Sequence, residues 1–333
     1  MPEQMFRSRW GKFEYPLFFP DATRAVVRTL TSEDLVKTKT QGVLVNTLHL
    51  YWDLGESVLK KFKGIGNFMG WKGALISDSG GFQVMSLAKK GLGKVTNEGV
   101  KFNLTRKKQL MLTPELSIRY QSLLETDLIV VLDDFTPKTA TKKQARETVE
   151  RTILWAGRCK KEFTKIYKNK KFKPYLIGVV HGGEYLDLRK ECTERLVEIG
   201  FDGYGYGGWP MDKNNKFNFE VAKLIRDNTP KDSLLYGLGV GKPEDIVGCY
   251  KLGFKIFDCV IPTRDARHGR LFVFKDNGFN YESIYPQKSK YRTDKKWGYL
   301  HHLFKIKDPA AWRLATMNNL NFYATLMARL RAV

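Results

Sequence analysis

Short apolar runs recur along the chain, and most of them are followed by a stretch with the features of a helix. Their length and their content of β-branched and aromatic residues are typical of buried strands. Eight runs show this pattern: LFFP (17–20), VLVNT (43–47), ALIS (74–77), LIVVLD (128–133), YLIGVV (175–180), GYGYG (203–207), LLYGLG (234–239) and KIFDCVI (255–261). Strands that alternate with helices predict an α/β fold with a mostly parallel sheet.

Two of the segments between these runs show where helices begin and end. In TPELSIRYQSLLET (113–126), Thr113 is suited to the N-cap and Pro114 to the first helical position. KPEDIVGCYKLG (242–253) closes on Gly253, a residue type that commonly follows a helix. Eight strand–helix units predict a closed (β/α)8 TIM barrel. A doubly wound open sheet is the alternative, although no G-x-G-x-x-G follows the first run.

Composition narrows the class of protein. A chain of 333 residues, 42% of them hydrophobic, is large enough for one barrel, and we expect a single domain over residues 1–333. No apolar run is long enough to cross a membrane, and the N-terminus lacks a signal-peptide pattern. The four cysteines form no C-x-x-C pair, so neither a disulfide framework nor a zinc knuckle is expected. A cytoplasmic location is the simplest expectation.

The net charge of +22 predicts a nucleic-acid partner, with a solvated basic surface as the alternative. Residues 158–173 contain eight basic residues and one acidic residue. From Arg264 to the C-terminus there are 14 Lys or Arg and 5 Asp or Glu. Charge for phosphates together with rings for bases is typical of binding to single-stranded or looped nucleic acid. The aromatic residues within the second cluster are Tyr281, Tyr285, Tyr291, Trp297 and Tyr299.

Five predicted strands end in residues that can take part in catalysis or binding, where a TIM barrel places its active site. These residues are Asp78, Asp133, His181, Gly207 with Gly208, and Asp258. Asp78 and Asp258 together suit substitution at an anomeric carbon, one as nucleophile and the other as general acid and base. A helix cap or a structural ion pair is the alternative for either aspartate.

Further residues suit recognition of a nucleotide. Asp133 can accept from N1–H and the exocyclic amine of a guanine-like base, unless Asp133 or Asp134 caps a helix near Thr136. Gly207 and Gly208 allow backbone N–H groups close to a base carbonyl, unless they form only a tight turn. The remaining candidates are Phe82, for stacking on a base or for the core, and Arg264 and Arg267, for a phosphodiester beside Asp258.

Several segments resemble the tRNA-guanine transglycosylases, also called queuine tRNA-ribosyltransferases. The resemblance extends from about residue 15 to the end of the chain, and S-D-S-G-G-F-Q-V and F-D-C-V-x-P-T-R are highly specific to that family. The segments are FMGWKGALISDSGGFQVMSL (68–87), GVVHGG (178–183), GYGYGG (203–208), GLGVGKPEDI (237–246), FDCVIPTR (257–264) and YLHHLF…RLATMNNLNFY (299–323).

The resemblance implies a TIM-barrel glycosyltransferase that exchanges the guanine at the first anticodon position of tRNA for a 7-deazaguanine, in queuosine modification and without a cofactor. It implies that Asp258 is the nucleophile, which forms a covalent bond to the ribose, and that Asp78 is the general acid and base. The other implied roles are base-edge acceptor for Asp133, backbone donors for Gly207 and Gly208, a base sandwich for Phe82 and Leu238, and anticodon-loop contacts for Arg264 and Arg267.

The chain departs from the family at the structural zinc site. The family binds zinc through C-x-C-x-x-C and a later histidine, but residues 280–302 contain no cysteine, and Asn318 stands in the histidine position. His301 and His302 alone make a poor site, so we expect no metal. We predict that residues 275–333 form a degenerate zinc subdomain with a C-terminal helix. Its expected packing residues are Tyr285, Tyr291, Trp297, Tyr299 and Trp312, and the loss of zinc puts the family's homodimer in doubt while keeping it among the expected assemblies.

A second departure lies in GVVHGG, because the family has glutamine where this chain has His181. We expect His181 in the base-binding site, where it contacts the same base carbonyl or marks a different incoming base. Two alternatives to the tRNA reaction stay open: insertion of a 7-deazaguanine into DNA by the same chemistry, and a non-catalytic RNA-binding partner subunit. The presence of both Asp78 and Asp258 weighs against the second.

Overall fold

The computed structural model describes residues 5–80, 93–103, 109–212 and 214–333. Eight parallel strands form its central sheet, and all eight lie on the apolar runs that predict strands. Their bounds are β1 (Leu17–Pro20), β2 (Gly42–Asn46), β3 (Ala74–Asp78), β4 (Leu128–Val130), β5 (Tyr175–Val180), β6 (Gly203–Tyr206), β7 (Leu234–Gly237) and β8 (Phe254–Cys259). Hydrogen-bonded neighbours follow the order β1-β8-β7-β6-β5-β4-β3-β2.

The two ends of this strand order meet, which closes the sheet. Ala22 N–H donates to Leu44 O at 2.7 Å, and Asp21 forms a parallel bridge with Leu44. The predicted (β/α)8 barrel is confirmed, and the doubly wound alternative is wrong. Closure brings the residues after β1 next to those after β2 and β8.

Helices connect the strands on the outside of the barrel. Thr113 caps one of them by accepting Leu116 N–H at 3.2 Å, as predicted. No described helix begins near Thr136; the next one begins at Lys142 with Thr141 as its cap, so neither Asp133 nor Asp134 is a cap. The helices of the described residues are α1 (Ser32–Lys37), α2 (Thr47–Asp53), α3 (Gly55–Phe62), α4 (Ile65–Met69), α5 (Pro114–Leu124), α6 (Lys142–Tyr167), α7 (Leu186–Ile199), α8 (Phe219–Asp227), α9 (Pro243–Lys251), α10 (Ile261–Arg267), α11 (Gly298–Lys305) and α12 (Pro309–Arg331).

Small antiparallel elements decorate the barrel. The strands Met5–Ser8 and Gly11–Glu14 form a hairpin, and its Phe6 packs 5.1 Å from the ring of Tyr175, the first residue of β5. This hairpin therefore covers the N-terminal end of the barrel. The strands Gly93–Thr96, Gly99–Asn103 and Gln109–Leu112 form a separate sheet between β3 and α5. None of the described helices is both long and apolar enough to span a bilayer.

The C-terminal region forms its own small core. The strands Leu271–Phe274 and Tyr281–Ile284 pair antiparallel, and α11 and the start of α12 pack beside them. Tyr299 and Trp312 are 69% and 38% exposed, so the prediction that they hold this region together is wrong. Tyr291 and Trp297 pack against the core, as predicted. The division at residue 275 stays a prediction. The core itself consists of aliphatic side chains: Ala266, Leu271, Ile284, Leu300, Leu303, Ala311 and Ala315.

One buried amide cross-links this region. Asn319 Oδ1 accepts Phe272 N–H at 3.0 Å, and Asn319 Nδ2 donates to Pro262 O and Arg270 O, each at 3.0 Å. Three backbone groups from two segments are thus held by a single side chain of α12. The described residues contain no group of three or more His, Cys, Asp or Glu that could hold a metal ion.

Candidate active site at the C-terminal ends of the strands

A cavity of about 480 Å³ opens at the C-terminal ends of the barrel strands, and all eight strands or the residues directly after them contribute to its wall. Its polar part brings together acids from four strands. The side chains concerned are those of Asp21, Thr23, Asp78, Ser79, Asp133 and Asp258, and the apolar wall includes Leu44, Phe135, Trp209, Pro210 and Leu238.

Asp258 lies in β8 and is held by two donors from β7 and the turn after it. The Tyr236 hydroxyl donates to Asp258 Oδ1 at 2.7 Å, and Gly239 N–H donates to the same oxygen at 2.9 Å. Burial raises the pKa of Asp258 to about 6; the two hydrogen bonds lower it, and the carboxylate of Asp21 raises it. Oδ2 accepts no hydrogen bond from the described residues, so it is the oxygen of this carboxylate that remains available.

Asp78 ends β3 and lies beside the start of α2. Asn46 Nδ2 donates to Asp78 Oδ1 at 2.8 Å, while Asn46 Oδ1 caps α2 by accepting His49 N–H at 2.9 Å. Burial raises the pKa of Asp78 to about 7; the Asn46 bond lowers it, and the nearby carboxylates, Asp258 first, raise it. Burial and the neighbouring carboxylates thus favour the protonated form of Asp78, while two hydrogen bonds favour the ionised form of Asp258.

Asp21 is a cavity residue that the sequence analysis missed. It follows β1 and accepts a hydrogen bond from the Thr23 hydroxyl. Its carboxylate raises the pKa of both Asp78 and Asp258. The rule that selected the other strand ends applies equally to LFFP-Asp21 and would have found it.

Asp133 and His181 are in direct contact. His181 Nε2 and Asp133 Oδ2 are 2.7 Å apart, and the Ser79 hydroxyl donates to Asp133 Oδ1 at 3.2 Å. Asp133 lines the cavity, whereas His181 is completely buried and does not. The adjacent Asp134 turns the other way and forms an ion pair with Arg151 of α6, 2.7 Å from Oδ2 to Nε.

Gly207 and Gly208 both line the cavity, but their amides differ. Gly207 N–H donates to Val180 O at 3.1 Å, so this amide is already engaged within the protein. The expectation that both amides donate to a base stays a prediction. Gly208 N–H takes part in no hydrogen bond among the described residues. A Cβ on Gly207 would lie 2.4 Å from Val179 Cγ1, and Gly208 has φ +80°, so both positions require glycine.

A fully buried arginine of α7 supports this turn from behind. Arg189 Nη1 donates to Val180 O at 2.6 Å and to Gly207 O at 2.8 Å, and its Nε donates to Gly183 O at 2.9 Å. The guanidinium lies 5.0 Å from the ring centroid of Tyr206. Arg189 thus fixes the segments after β5 and β6, and the pattern of the sequence contained no signal for it.

Of the two apolar residues predicted to sandwich a base, the structure describes only Leu238. Leu238 lines the cavity, and its Cδ1 lies over Gly205, where a Cβ would be 2.2 Å away. Phe82 lies outside the described residues. Phe135 and Trp209 line the same cavity, and Trp209 is 47% exposed at its mouth.

Arg264 and Arg267 lie on α10, which follows Asp258 at the mouth side of the barrel. Arg264 is half-exposed and has Asp265 Oδ1 3.5 Å from its Nε. Arg267 Nη1 donates to Thr263 O at 2.9 Å. Burial lowers the pKa of Arg267, and the positive charges of Arg28 and Arg264 lower it further. The three arginines therefore form one basic patch near the cavity.

The end of the basic cluster at residues 158–173 lies away from the cavity. Its last residues lead into Tyr175 at the N-terminal end of β5, and Arg9 of the N-terminal hairpin lies 4.4 Å from the Phe172 ring. The barrel strands run from that end to the cavity, and β5 with its six residues is roughly 20 Å long. Residues 168–173 are thus at the opposite end of the barrel from Asp258.

The chain is similar in sequence to proteins of one known family. The chain matches the family model described as queuine tRNA-ribosyltransferase over residues 5–333. It is 36% identical over 337 residues to a queuine tRNA-ribosyltransferase of Psychrobacter cryohalolentis, covering 96% of this chain and 86% of that protein. A protein of the same name from Thermoanaerobacter sp. is 37% identical over 332 residues, with 96% and 86% covered. One from Rickettsia typhi is 35% identical over 338 residues, with 97% and 90% covered.

Proposed function

Since the chain belongs to the queuine tRNA-ribosyltransferase family, we propose that it is a tRNA-guanine transglycosylase. It exchanges the guanine at the first anticodon position of a tRNA for a 7-deazaguanine, which makes it a pentosyltransferase in queuosine modification. The observation that carries this proposal is the presence of Asp78 and Asp258 in one cavity with different hydrogen-bond partners.

The first half of the reaction uses both acids. Asp258, which loses its proton at lower pH than Asp78, attacks C1′ of the ribose through Oδ2 as the bond from C1′ to the base breaks. Asp78 in its protonated form gives its proton to the departing guanine, so that the base leaves neutral. The ribose is then held as an ester of Asp258, and Asp78 is a carboxylate.

The second half reverses these steps with a different base. The 7-deazaguanine enters the cavity, and Asp78 removes the proton from its N9. That nitrogen attacks C1′, the ester bond breaks, and Asp258 leaves as a carboxylate. One N-glycosidic bond replaces another, so the exchange needs no redox partner and no nucleoside triphosphate.

The base is held by groups around these acids. Asp133 accepts from N1–H and the 2-amino group, Gly208 N–H donates to the carbonyl oxygen, and Leu238 packs on one face of the ring. Arg264 and Arg267 bind phosphates of the anticodon loop beside the reacting ribose. Phe82 is proposed for the other face of the base from the family resemblance alone.

A homodimer is the proposed assembly. Four large apolar side chains in and next to α11 and α12 are exposed, which is typical of a surface that another protein covers; they are Tyr299, Ile306, Trp312 and Leu314. Light scattering after size exclusion would give the mass of a dimer, whereas a monomer at micromolar concentration would contradict it. A cytoplasmic location is proposed because all four cysteines are free, as in a reducing compartment.

Trapping of the covalent intermediate tests the reaction. The protein is mixed with tRNA or with DNA, each with and without a 7-deazaguanine, and run under denaturing conditions. An adduct with tRNA supports the proposal. An adduct with DNA alone would show that the substrate is DNA and not tRNA. The absence of an adduct with either would contradict catalysis. Asp258→Ala removes the adduct, while Asp227→Ala on the exposed face of α8 keeps it.

A further inference from the structure

His181 does not occupy the position expected for a residue that contacts the base. Its side chain is fully buried, and the ring lies behind Gly207, where a Cβ would be 2.9 Å from His181 Nε2. The ring of Phe135 stands edge-on, with its centroid 6.0 Å away. The backbone of Gly207 and the side chain of Asp133 therefore separate this imidazole from the cavity.

The hydrogen bonds of the ring assign its tautomer. Thr136 N–H donates to Nδ1 at 3.5 Å, so Nδ1 carries no hydrogen. Nε2 then carries the hydrogen of the neutral ring and donates it to Asp133 Oδ2 at 2.7 Å. His181 thus links the backbone after β4 to the carboxylate of Asp133 through one acceptor and one donor.

Two donors from different strands hold the Asp133 carboxylate in place. Nε2–H of His181, after β5, fixes Oδ2, and the hydroxyl of Ser79, after β3, fixes Oδ1 at 3.2 Å. A carboxylate has about four acceptor directions, so about two stay available on a side chain that lines the cavity. A rigid carboxylate is what bidentate recognition of N1–H and a 2-amino group needs, because both bonds depend on one plane.

We propose that His181 is a positioning residue for Asp133, that it does not itself contact the base, and that it sets the preference for bases with two adjacent donors. This inference rests on the proposed function, in which Asp133 accepts from the base edge. It differs from the expectation that His181 itself contacts the base carbonyl.

Glutamine provides a rescue variant. A glutamine side chain carries one acceptor oxygen and a donor nitrogen, the same two kinds of group that this tautomer provides. His181→Gln can therefore accept from Thr136 N–H and donate to Asp133. His181→Leu fills a similar volume and can do neither, so a loss that Gln restores and Leu does not is due to the hydrogen bonds and not to packing.

Three bases separate positioning of Asp133 from contact with the carbonyl. Hypoxanthine lacks only the 2-amino group of guanine, so the preference for guanine over hypoxanthine measures what the hydrogen bond from this group to Asp133 contributes to binding. 6-Thioguanine keeps both donors and replaces the carbonyl oxygen by sulfur, so preference for guanine over 6-thioguanine measures the groups at the carbonyl. Dissociation constants of the free bases, measured by calorimetry on the full chain, do not require turnover.

His181→Leu is expected to weaken guanine binding on the order of tenfold and to remove most of the preference over hypoxanthine. The preference over 6-thioguanine stays as in the wild type, and His181→Gln restores both guanine affinity and discrimination. In the exchange reaction the KM for the base rises more than kcat falls. His301→Gln, at a buried histidine outside the cavity, leaves all three dissociation constants unchanged.

The opposite pattern would overturn the inference. If His181→Leu reduces the preference over 6-thioguanine and leaves that over hypoxanthine, then His181 contacts the carbonyl. If Leu and Gln variants bind guanine as the wild type does, the hydrogen bonds have no role in recognition. A wild-type protein that binds guanine but forms no adduct with any nucleic acid would contradict the proposed function and leave the positioning role supported or refuted by the binding data.

Discussion

The Tyr236 hydroxyl donates to Asp258 Oδ1 at 2.7 Å, from the strand next to the one that carries the aspartate. The bond crosses from β7 to β8, so the position of the carboxylate depends on the pairing of these two strands. Burial raises the pKa of Asp258, and this hydrogen bond lowers it. Tyr236 thereby favours the anionic form of Asp258 in a cavity with three further acids.

Tyr236→Phe tests this relationship. Loss of the donor raises the pKa of Asp258, so less of it is ionised at neutral pH. The acid limb of the kcat/KM profile should move to higher pH, and the rate near pH 7 should fall about tenfold. The pH dependence of adduct formation measures both. Tyr204→Phe, at a buried tyrosine of β6 that does not line the cavity, serves as the control; an acid limb unchanged in Tyr236→Phe would refute the role.

Asp78→Asn is expected to stabilise the protein at alkaline pH while it abolishes exchange. Burial raises the folded-state pKa of Asp78 to about 7, above the 3.8 that is ordinary for an aspartate. The folded protein therefore binds more protons than the unfolded chain between these values, and stability is lost as pH rises through about 7. Removal of the charge should increase the free energy of unfolding at pH 8 by about 1–3 kcal/mol, a range reduced for partial exposure to the cavity.

Urea denaturation at pH 5 and at pH 8 measures this effect. The gain from Asp78→Asn should be smaller at pH 5, where the folded wild type already holds the proton. A gain that does not depend on pH would show that the carboxyl group is not the cause. Exchange activity is expected to be lost at both pH values, because an amide cannot donate and remove the proton of the base.

Arg264→Ala and Lys171→Ala compare the two ends of the barrel. Arg264 lies on α10 next to the cavity, while Lys171 precedes β5 at the opposite end. Loss of one phosphate contact should weaken tRNA binding by about 3–10-fold and reduce the slope of log affinity against log salt by about 1. Fluorescence anisotropy at several salt concentrations should show this for Arg264→Ala and not for Lys171→Ala. Equal losses in both variants would contradict anticodon-loop binding at the mouth.

Asn319→Ala tests what stabilises the C-terminal region. Removal of this buried amide leaves three backbone groups without their hydrogen-bond partner. The free energy of unfolding should therefore fall by about 2–4 kcal/mol. Asn321→Ala, at an exposed position of the same helix, should change stability by less than about 0.5 kcal/mol. A chelator should leave the Tm of the wild type unchanged; a large decrease would indicate a bound metal ion.

The location of the residues at the strand ends was predictable from the sequence. Parallel strands all run in one direction, so the residues that follow them lie at the same end of the barrel. Asp78, Asp133 and Asp258 follow apolar runs, and closure of the barrel brings all three to one cavity. The same local rule explains the strand bounds, since each strand coincides with an apolar run. Asp21 satisfies the same rule, since it directly follows LFFP, although it was not among the predicted residues.

Other features depended on contacts between segments far apart in the sequence. The pattern could not show that Gly207 N–H is used by Val180, that Arg189 supports that turn, or that Tyr236 serves Asp258, since each bond joins different strands or helices. It placed His181 near the base but could not show which face of its strand end the ring occupies.

The sequence by itself determined the barrel, the end of the barrel that carries the acids, and the family to which the chain belongs, because periodicity, chain direction and motif identity are local properties. Only the tertiary structure decided which donors hold Asp258, that His181 contacts Asp133, and which basic cluster lies near the site. Those properties arise from burial and from hydrogen bonds across strands, and neither exists before the sheet closes.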